Sequence, residues 1–433
     1  MDRVVSADAD SRSSAYRLSS AALAALLLCY GLQLFSPLRL NTDSVVLLSM
    51  ADSAARGNGF LNDGARTVFP LGYPALVAAL QQIGLGNSSA LIALNLMFLA
   101  AGLMAVRRLL RRHFEASQTT ALNICSLFLL SFVVIKHVTI PLTDVVFFGI
   151  AMVALDLLDS ALACSDANFA GVLVIEGWIL VVGSIFIRRI GIALLPALLY
   201  TVIFSPQIRK LVRDARPKVR SLFAALALAA TAATVWVISA TSTVADFSTA
   251  TRGSARFVLL SRLVSFHLVE LGELALNLPA SRLPEMVRIV VPGVGLILFL
   301  VAGRGFLKKS THIGTVEVFF ISYAGILAAW PFVDARFWLA VIPLVIGYVT
   351  IALRAAFARM SVRIAVASYC VVFVLLGMAA LAYSTRITFA GPRFPLLYGD
   401  GTMRASYCFA YQWCTDRDGN VDPKVVRLLL SYK

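Results

Sequence analysis

Apolar residues in this chain fall in long, nearly uninterrupted runs, unlike the alternating or one-faced patterns of water-soluble strands and helices. A helix needs about 20 largely apolar residues to cross the hydrocarbon core of a bilayer. Runs of that kind occupy residues 18–38, 89–106, 121–137, 143–163, 169–186, 190–204, 221–240, 287–303, 314–330, 337–353 and 364–383. The pattern predicts an all-α integral membrane protein with about eleven transmembrane helices. A further apolar stretch at 72–83 (GYPALVAALQQI) is short and follows Phe69-Pro70. It is expected to lie in the outer leaflet as a juxtamembrane helix without crossing.

Composition strengthens this. Hydrophobic residues make up 59% of the 433 and charged residues 14%, with a mean hydropathy of +0.84. A soluble domain carries about 25% charge. The net charge of +15 would suggest a polyanionic partner in a soluble chain. Here the basic residues sit in short clusters between apolar runs, so no nucleic-acid partner is expected.

Those clusters orient the chain. With the N-terminus cytoplasmic, the short inner loops hold sixteen Lys and Arg, including Arg107, Arg108, Arg111, Arg112, Lys308 and Lys309. The short outer turns hold four: Lys136, Arg188, Arg189 and Arg336. The asymmetry follows the positive-inside rule and puts the C-terminus outside. The compact chain, with no large lumenal domain in view, favours a bacterial inner membrane with that face in the periplasm. The first run follows Arg3, Arg12 and Arg17, has no convincing small-residue cleavage site after it, and reads as a retained helix. A transmembrane domain then covers 1–383, with external loops at 39–87 and 241–286, and an external tail covers 384–433. The tail is polar but carries Tyr398, Tyr407, Phe409, Tyr411 and Trp413, which suits a small ordered cap. Cys408 and Cys414 fall within it and are expected to form a disulfide in an oxidising compartment. The other four cysteines lie in or beside apolar runs and read as small hydrophobes.

Candidate chemistry gathers on the outer face. Asp43 follows the first helix in Asn41-Thr42-Asp43-Ser44, where Asn41, Thr42 or Asp43 is expected to cap a helix running to about Ala55. A catalytic carboxylate and a simple cap are both open for Asp43. Asp144 shares the turn after the third run with Lys136 and His137, and a Lys136–Asp144 surface pair is the modest alternative to a functional cluster. Arg188-Arg189 and Asp334-Ala335-Arg336 occupy two further outer turns, against the orientation rule. Outer arginines call for an anionic client, either an acidic side chain or a phosphate. Glu176 sits mid-run and is an ionisable residue at costly depth.

At these residues the chain resembles GT-C glycosyltransferases, the class of lipid A aminoarabinose transferases and protein O-mannosyltransferases. The shared features come in chain order: Asp43 after helix one, then Gly59 followed by Gly72-Tyr73-Pro74 in the first external loop. Next come Pro141-Leu142-Thr143-Asp144, then Asp334-Ala335-Arg336-Phe337 through Pro343. Ile187-Arg188-Arg189-Ile190-Gly191 is similar to the family's outer Arg-x-x-Gly turn. The resemblance implies transfer of a sugar from a polyprenyl-phosphate carrier to a lipid, glycan or protein acceptor on the outer face. Asp43 would be the catalytic base, and Asp144, Arg188, Arg189, Asp334, Arg336, Tyr73 and His137 would bind donor or substrate. Many members carry an Asp-Glu pair where Asp43 is followed by Ser44. No metal ligand set is therefore assigned, and a divalent metal stays open as cofactor. The alternatives are an O-antigen polymerase or acyltransferase-type envelope enzyme, and a membrane transporter. A polymerase usually has a larger central external loop, and a transporter predicts inverted repeats and broken helices at mid-membrane. Neither repeats nor such breaks are visible in the sequence.

Overall fold

The computed structural model describes residues 2–214, 256–309, 313–330, 332–414 and 419–433. The run at 221–240 and the first part of the 241–286 loop lie outside the described residues. In chain order the helices are α1 (Asp2–Gly31), α2 (Thr42–Ala55), α3 (Gly72–Gln82), α4 (Ser88–Arg112), α5 (Gln118–Leu129), α6 (Phe132–His137), α7 (Thr143–Ala163), α8 (Ala167–Ile187), α9 (Leu194–Phe204) and α10 (Pro206–Asp214). Beyond them come α11 (Arg256–Leu276), α12 (Glu285–Arg288), α13 (Val291–Lys309), α14 (Thr315–Ala328), α15 (Ile342–Arg354), α16 (Met360–Thr388), α17 (Phe394–Tyr398), α18 (Gly401–Tyr411) and α19 (Pro423–Ser431). Among the described residues the strands form one small hairpin, Leu61–Asn62 against Ala65–Arg66. Asp63 and Gly64 turn it at φ of 51° and 78°, the left-handed pair that tight hairpins favour.

Among the described residues, seven helices are long and apolar enough to cross a membrane, and Arg189–Phe204 and Thr315–Ala328 are shorter apolar helices. Their outward faces are hydrocarbon: Ile364, Val371, Val372 and Leu375 of α16 are each more than half exposed. Water does not tolerate a patch of that extent on a soluble monomer, so lipid solvates it. The chain is an all-α, multi-pass membrane protein. Its core forms around α7, of which 78% of the spanning window is buried. α4 and α7 approach closely at Gly102 and Gly149, where a Cβ on Gly149 would stand 2.4 Å from the Phe98 carbonyl oxygen.

Three expectations change in detail. The third apolar run is interrupted at Leu130-Ser131, between α5 and α6. Asn277 satisfies the freed backbone, accepting from Phe132 N at 2.7 Å and donating to Leu130 O at 2.9 Å. The segment expected as the 241–286 loop contains α11, a helix of 21 residues packed on α13. The boundary at 383 falls inside α16, which continues to Thr388 because Ser384 and Thr388 are buried against Gln33 and Arg39.

The two ends of the bundle carry different charge networks. At the end of α4, Arg108 meets Asp156 at 2.6 Å and Arg112 bridges Asp156 at 3.0 Å and Asp159 at 2.6 Å. His113 bonds Glu317 at 2.7 Å, and Glu317 also accepts from Tyr348 at 3.3 Å. Burial pushes the His113 pKa down, but its interactions with the Asp159 and Glu317 carboxylates outweigh that and raise it to about 9. The other end carries the residues singled out above. Asp144 and Asp159 lie on one helix, so the two networks are separated by about 22 Å of rise.

The described residues of the tail are helical and pack over the loop between α1 and α4. Cys408 and Cys414 form a disulfide. Lys424 Nζ lies 2.7 Å from Asp63, and that hydrogen bond holds the Asp63 carboxyl below its usual range. Ser88 N donates to Tyr432 O at 2.9 Å, which ties the chain's end to the start of α4.

Candidate active site

The segment before Asp43 is clamped from two sides. Tyr407 of the tail donates to Leu38 O at 2.7 Å and accepts from Leu40 N at 3.0 Å, while Tyr398 donates to Leu40 O at 3.0 Å. Between them Arg39 is buried among neutral acceptors: Ser36 Oγ at 3.0 Å, Ser384 Oγ at 2.9 Å and Thr388 Oγ1 at 2.9 Å. Burial lowers the Arg39 pKa to about 10, which leaves it charged at neutral pH. α2 then starts on a reciprocal capping box: Asn41 Oδ1 accepts from Ser44 N at 2.8 Å and Ser44 Oγ accepts from Asn41 N at 2.7 Å. Asn41 is therefore the cap. Asp43 has no capping duty, and its side chain, 32% exposed, faces Arg336.

Asp144 stands in the first turn of α7, where a carboxylate complements the helix dipole. Only 2% of it is exposed, and it pairs with Arg188 at the C-terminus of α8. The alternative of a Lys136–Asp144 surface pair is not what forms: Asp144 takes this buried partner, and Lys136 is exposed. The turn leading to Asp144 hangs on Asn95 of α4, whose Nδ2 donates to Val138 O at 2.9 Å and Ile140 O at 3.1 Å. His137 is buried in that turn, with Nδ1 on Val133 O at 2.7 Å. It lies within electrostatic reach of Asp144 and Asp334.

A 3-10 segment of seven residues, Ala335–Val341, presents the third element. Asp334 caps it by accepting from Arg336 N at 2.9 Å, and its carboxylate also lies 3.1 Å from Arg336 Nε. That second contact is off the N–H axis, so Nε keeps no aligned acceptor. Arg336 Nη2 donates to Asp43 Oδ2 at 2.5 Å. The ring of Phe337 sits against both guanidinium groups, 5.3 Å from Arg336 and 5.1 Å from Arg188. Tyr323 holds the Phe337 carbonyl at 2.5 Å.

Folding thus brings Asp43, Asp144, Arg188, Asp334 and Arg336 to one place, with His137 beside them. Arg189 joins through the first loop, donating to Val68 O. Gly72 explains the close seat of that loop: a Cβ there would stand 2.7 Å from Phe186 O, just before Arg188. Tyr73 is not part of the cluster. It is fully buried, its hydroxyl has no hydrogen-bond partner among the described residues, and Tyr432 acts on it electrostatically. Sequence reasoning passed over Asn95, Tyr398, Tyr407 and Glu270, the last a buried acid of α11 under the Asp334 turn. A polar residue in an apolar helix was the available signal for Asn95. Among the described residues no group of three His, Cys, Asp or Glu side chains is arranged to hold a metal ion.

Chemically, the cluster joins a solvent-reachable carboxylate to two guanidinium groups with N–H donors still unspent. Each guanidinium carries five N–H donors in a planar fork suited to carboxylate or phosphate. No protein-family model matches the chain, and no curated protein is significantly similar to it. Among solved structures the chain is similar to ArnT from Cupriavidus metallidurans in the apo state, at TM-score 0.49 and 14% identity, covering 97% of this chain and 74% of that one. It is also similar to the same protein bound to undecaprenyl phosphate, at TM-score 0.47 and 12% identity, covering 95% and 74%. Likenesses this slight assign no activity.

Proposed function

We propose that this chain is a membrane glycosyltransferase. It moves a sugar from a polyprenyl-phosphate carrier to an acceptor hydroxyl on the extracytoplasmic face of a bacterial inner membrane. The contact between Arg336 and Asp43 carries the proposal, because it joins the acid after helix one to the arginine of the late Asp-Ala-Arg-Phe turn. These are two of the elements on which the resemblance to GT-C transferases rests. Support also comes from the charge asymmetry of the loops and from the site's position at the bundle end away from Arg108 and Arg112.

In the proposed reaction an acceptor oxygen attacks the anomeric carbon while the carbon–oxygen bond to phosphate breaks. The electron pair leaves with the carrier phosphate, and the acceptor proton passes to the Asp43 carboxylate. Charge grows on the departing phosphate, and Arg336 and Arg188 meet it with preorganised donors that favour the transition state over the ground state. Asp144 keeps Arg188 in position. Transport would demand an ionisable path through mid-membrane, whereas the charged pairs described here stand at the two ends of the bundle.

Mass spectrometry of envelope glycans from a deletion strain tests the assignment. One sugar missing, restored by the wild-type chain but not by Asp43→Asn, is the expected result. An unchanged glycan profile in the deletion strain rejects it.

A further inference from the structure

Glu270 takes no part in the chemistry proposed above, yet it is among the most buried acids in the molecule, with 1% of its surface exposed. Its two carboxylate oxygens meet three neighbours. Oε1 accepts from the backbone N–H of Asp334 at 2.6 Å. Oε2 accepts from Trp338 Nε1 at 2.9 Å and lies 2.8 Å from His267 Nδ1. A backbone amide and an indole only donate, so each oxygen of Glu270 accepts one of these bonds.

Asp334 and Trp338 flank the turn that displays Arg336. One carboxylate from α11 therefore grips that turn at its first residue and again one helical turn later. The grip is relayed onward. Asp334, fixed at its N–H by Glu270, caps Arg336 N at 2.9 Å, and Arg336 reaches Asp43 at 2.5 Å. A surface arginine needs no such scaffold. A guanidinium that must hold its fork still while a phosphate leaves does, since misplacement of about 1 Å costs a large share of the rate.

We infer that Glu270 is a positioning residue for Arg336, acting through Asp334 and Trp338 on the phosphate side of the transferase site. The inference rests on the transferase reading above. Glu270→Gln keeps shape and can still accept from Asp334 N, while His267 can change tautomer to meet the new amide. Trp338 cannot change: its N–H then faces an NH2 group. The turn loses one anchor and Arg336 its fixed direction.

The test is a double-mutant cycle on the full-length protein in detergent, reading turnover and the affinity for farnesyl monophosphate. Glu270→Gln is expected to lower both about tenfold, in the range seen when supports of site ligands are removed. The same change in an Arg336→Lys background is expected to add little, because the residue it serves is already compromised. Adding Trp338→Phe to Glu270→Gln removes the stranded donor and is expected to restore part of the loss. Equal losses in the wild-type and Arg336→Lys backgrounds overturn the inference and leave only a structural role. If Glu270→Gln fails to accumulate, Trp338→Phe alone carries the same cycle with the same two outcomes. A wild-type protein that neither binds the probe nor transfers sugar overturns the transferase reading and this inference together. Binding by the wild type with an additive cycle overturns this inference alone.

Discussion

Arg336 and Asp43 stand 293 positions apart in the chain and 2.5 Å apart in space. Their contact closes one end of the bundle, joining the start of α2 to the turn before α15. Because Asn41 caps α2, the partner of Asp43 is this guanidinium alone among the hydrogen bonds described. Asp43→Asn should leave helix formation intact and fold to wild-type yield. Transfer should fall roughly 10²–10⁴-fold if the carboxylate takes the acceptor proton. Wild-type turnover by purified Asp43→Asn removes Asp43 from the chemistry and makes Asp144 the leading acid.

Arg336→Lys keeps the charge but replaces a planar fork by a single ammonium. Arginine touches Asp43, Asp334 and the Phe337 ring at once, and lysine lacks the reach to do so. Loss of one preorganised donor to a developing anion costs about 10²-fold in turnover. Steady-state kinetics of the variant check this; an unchanged kcat reduces Arg336 to an ion-pair partner.

His113 supplies a pH dependence at the other end of the bundle. Its pKa rises from an ordinary 6.5 to about 9 on folding. A group raised in this sense stabilises the fold fully below the unfolded value, and the contribution disappears as pH climbs through the folded value. Thermal denaturation in detergent should therefore show Tm declining between about pH 6.5 and pH 9. His113→Gln should flatten that decline, and an equal slope in both proteins excludes His113 as its source.

The Cys408–Cys414 bridge closes a loop of sequence separation 6, so its effect on stability lies at the low end of the disulfide range, near 2 kcal/mol. Alkylation without reductant should label neither residue, while reductant should expose both. Cys29, Cys125, Cys164 and Cys370 are unpaired and serve as internal controls. Labelling of Cys408 and Cys414 before reduction contradicts the bridge.

Hydropathy is a local property, and what depends on it is legible residue by residue. Long apolar runs identify the spanning helices, and clustered arginines set which loops share a face. Asn41, Asp144, Arg188 and Asp334-Ala335-Arg336 each stand out as polar groups at helix ends. The break between α5 and α6 is invisible at that level, because Asn277 repairs it from 145 positions away. The same limit hides which acid meets which arginine. Lys136 is the nearer cation to Asp144 along the chain, yet the pairing goes to Arg188, which the packing of α7 on α8 delivers to a buried carboxylate. Tyr73 looks like a site residue by its motif and is turned into the core, while Tyr407 looks like a tail aromatic and holds the backbone before Asp43. Helix identity comes from the free energy of moving apolar surface into lipid, which sums over neighbouring residues. The site comes from hydrogen bonds and ion pairs between distant residues, whose geometry exists only once the helices have packed.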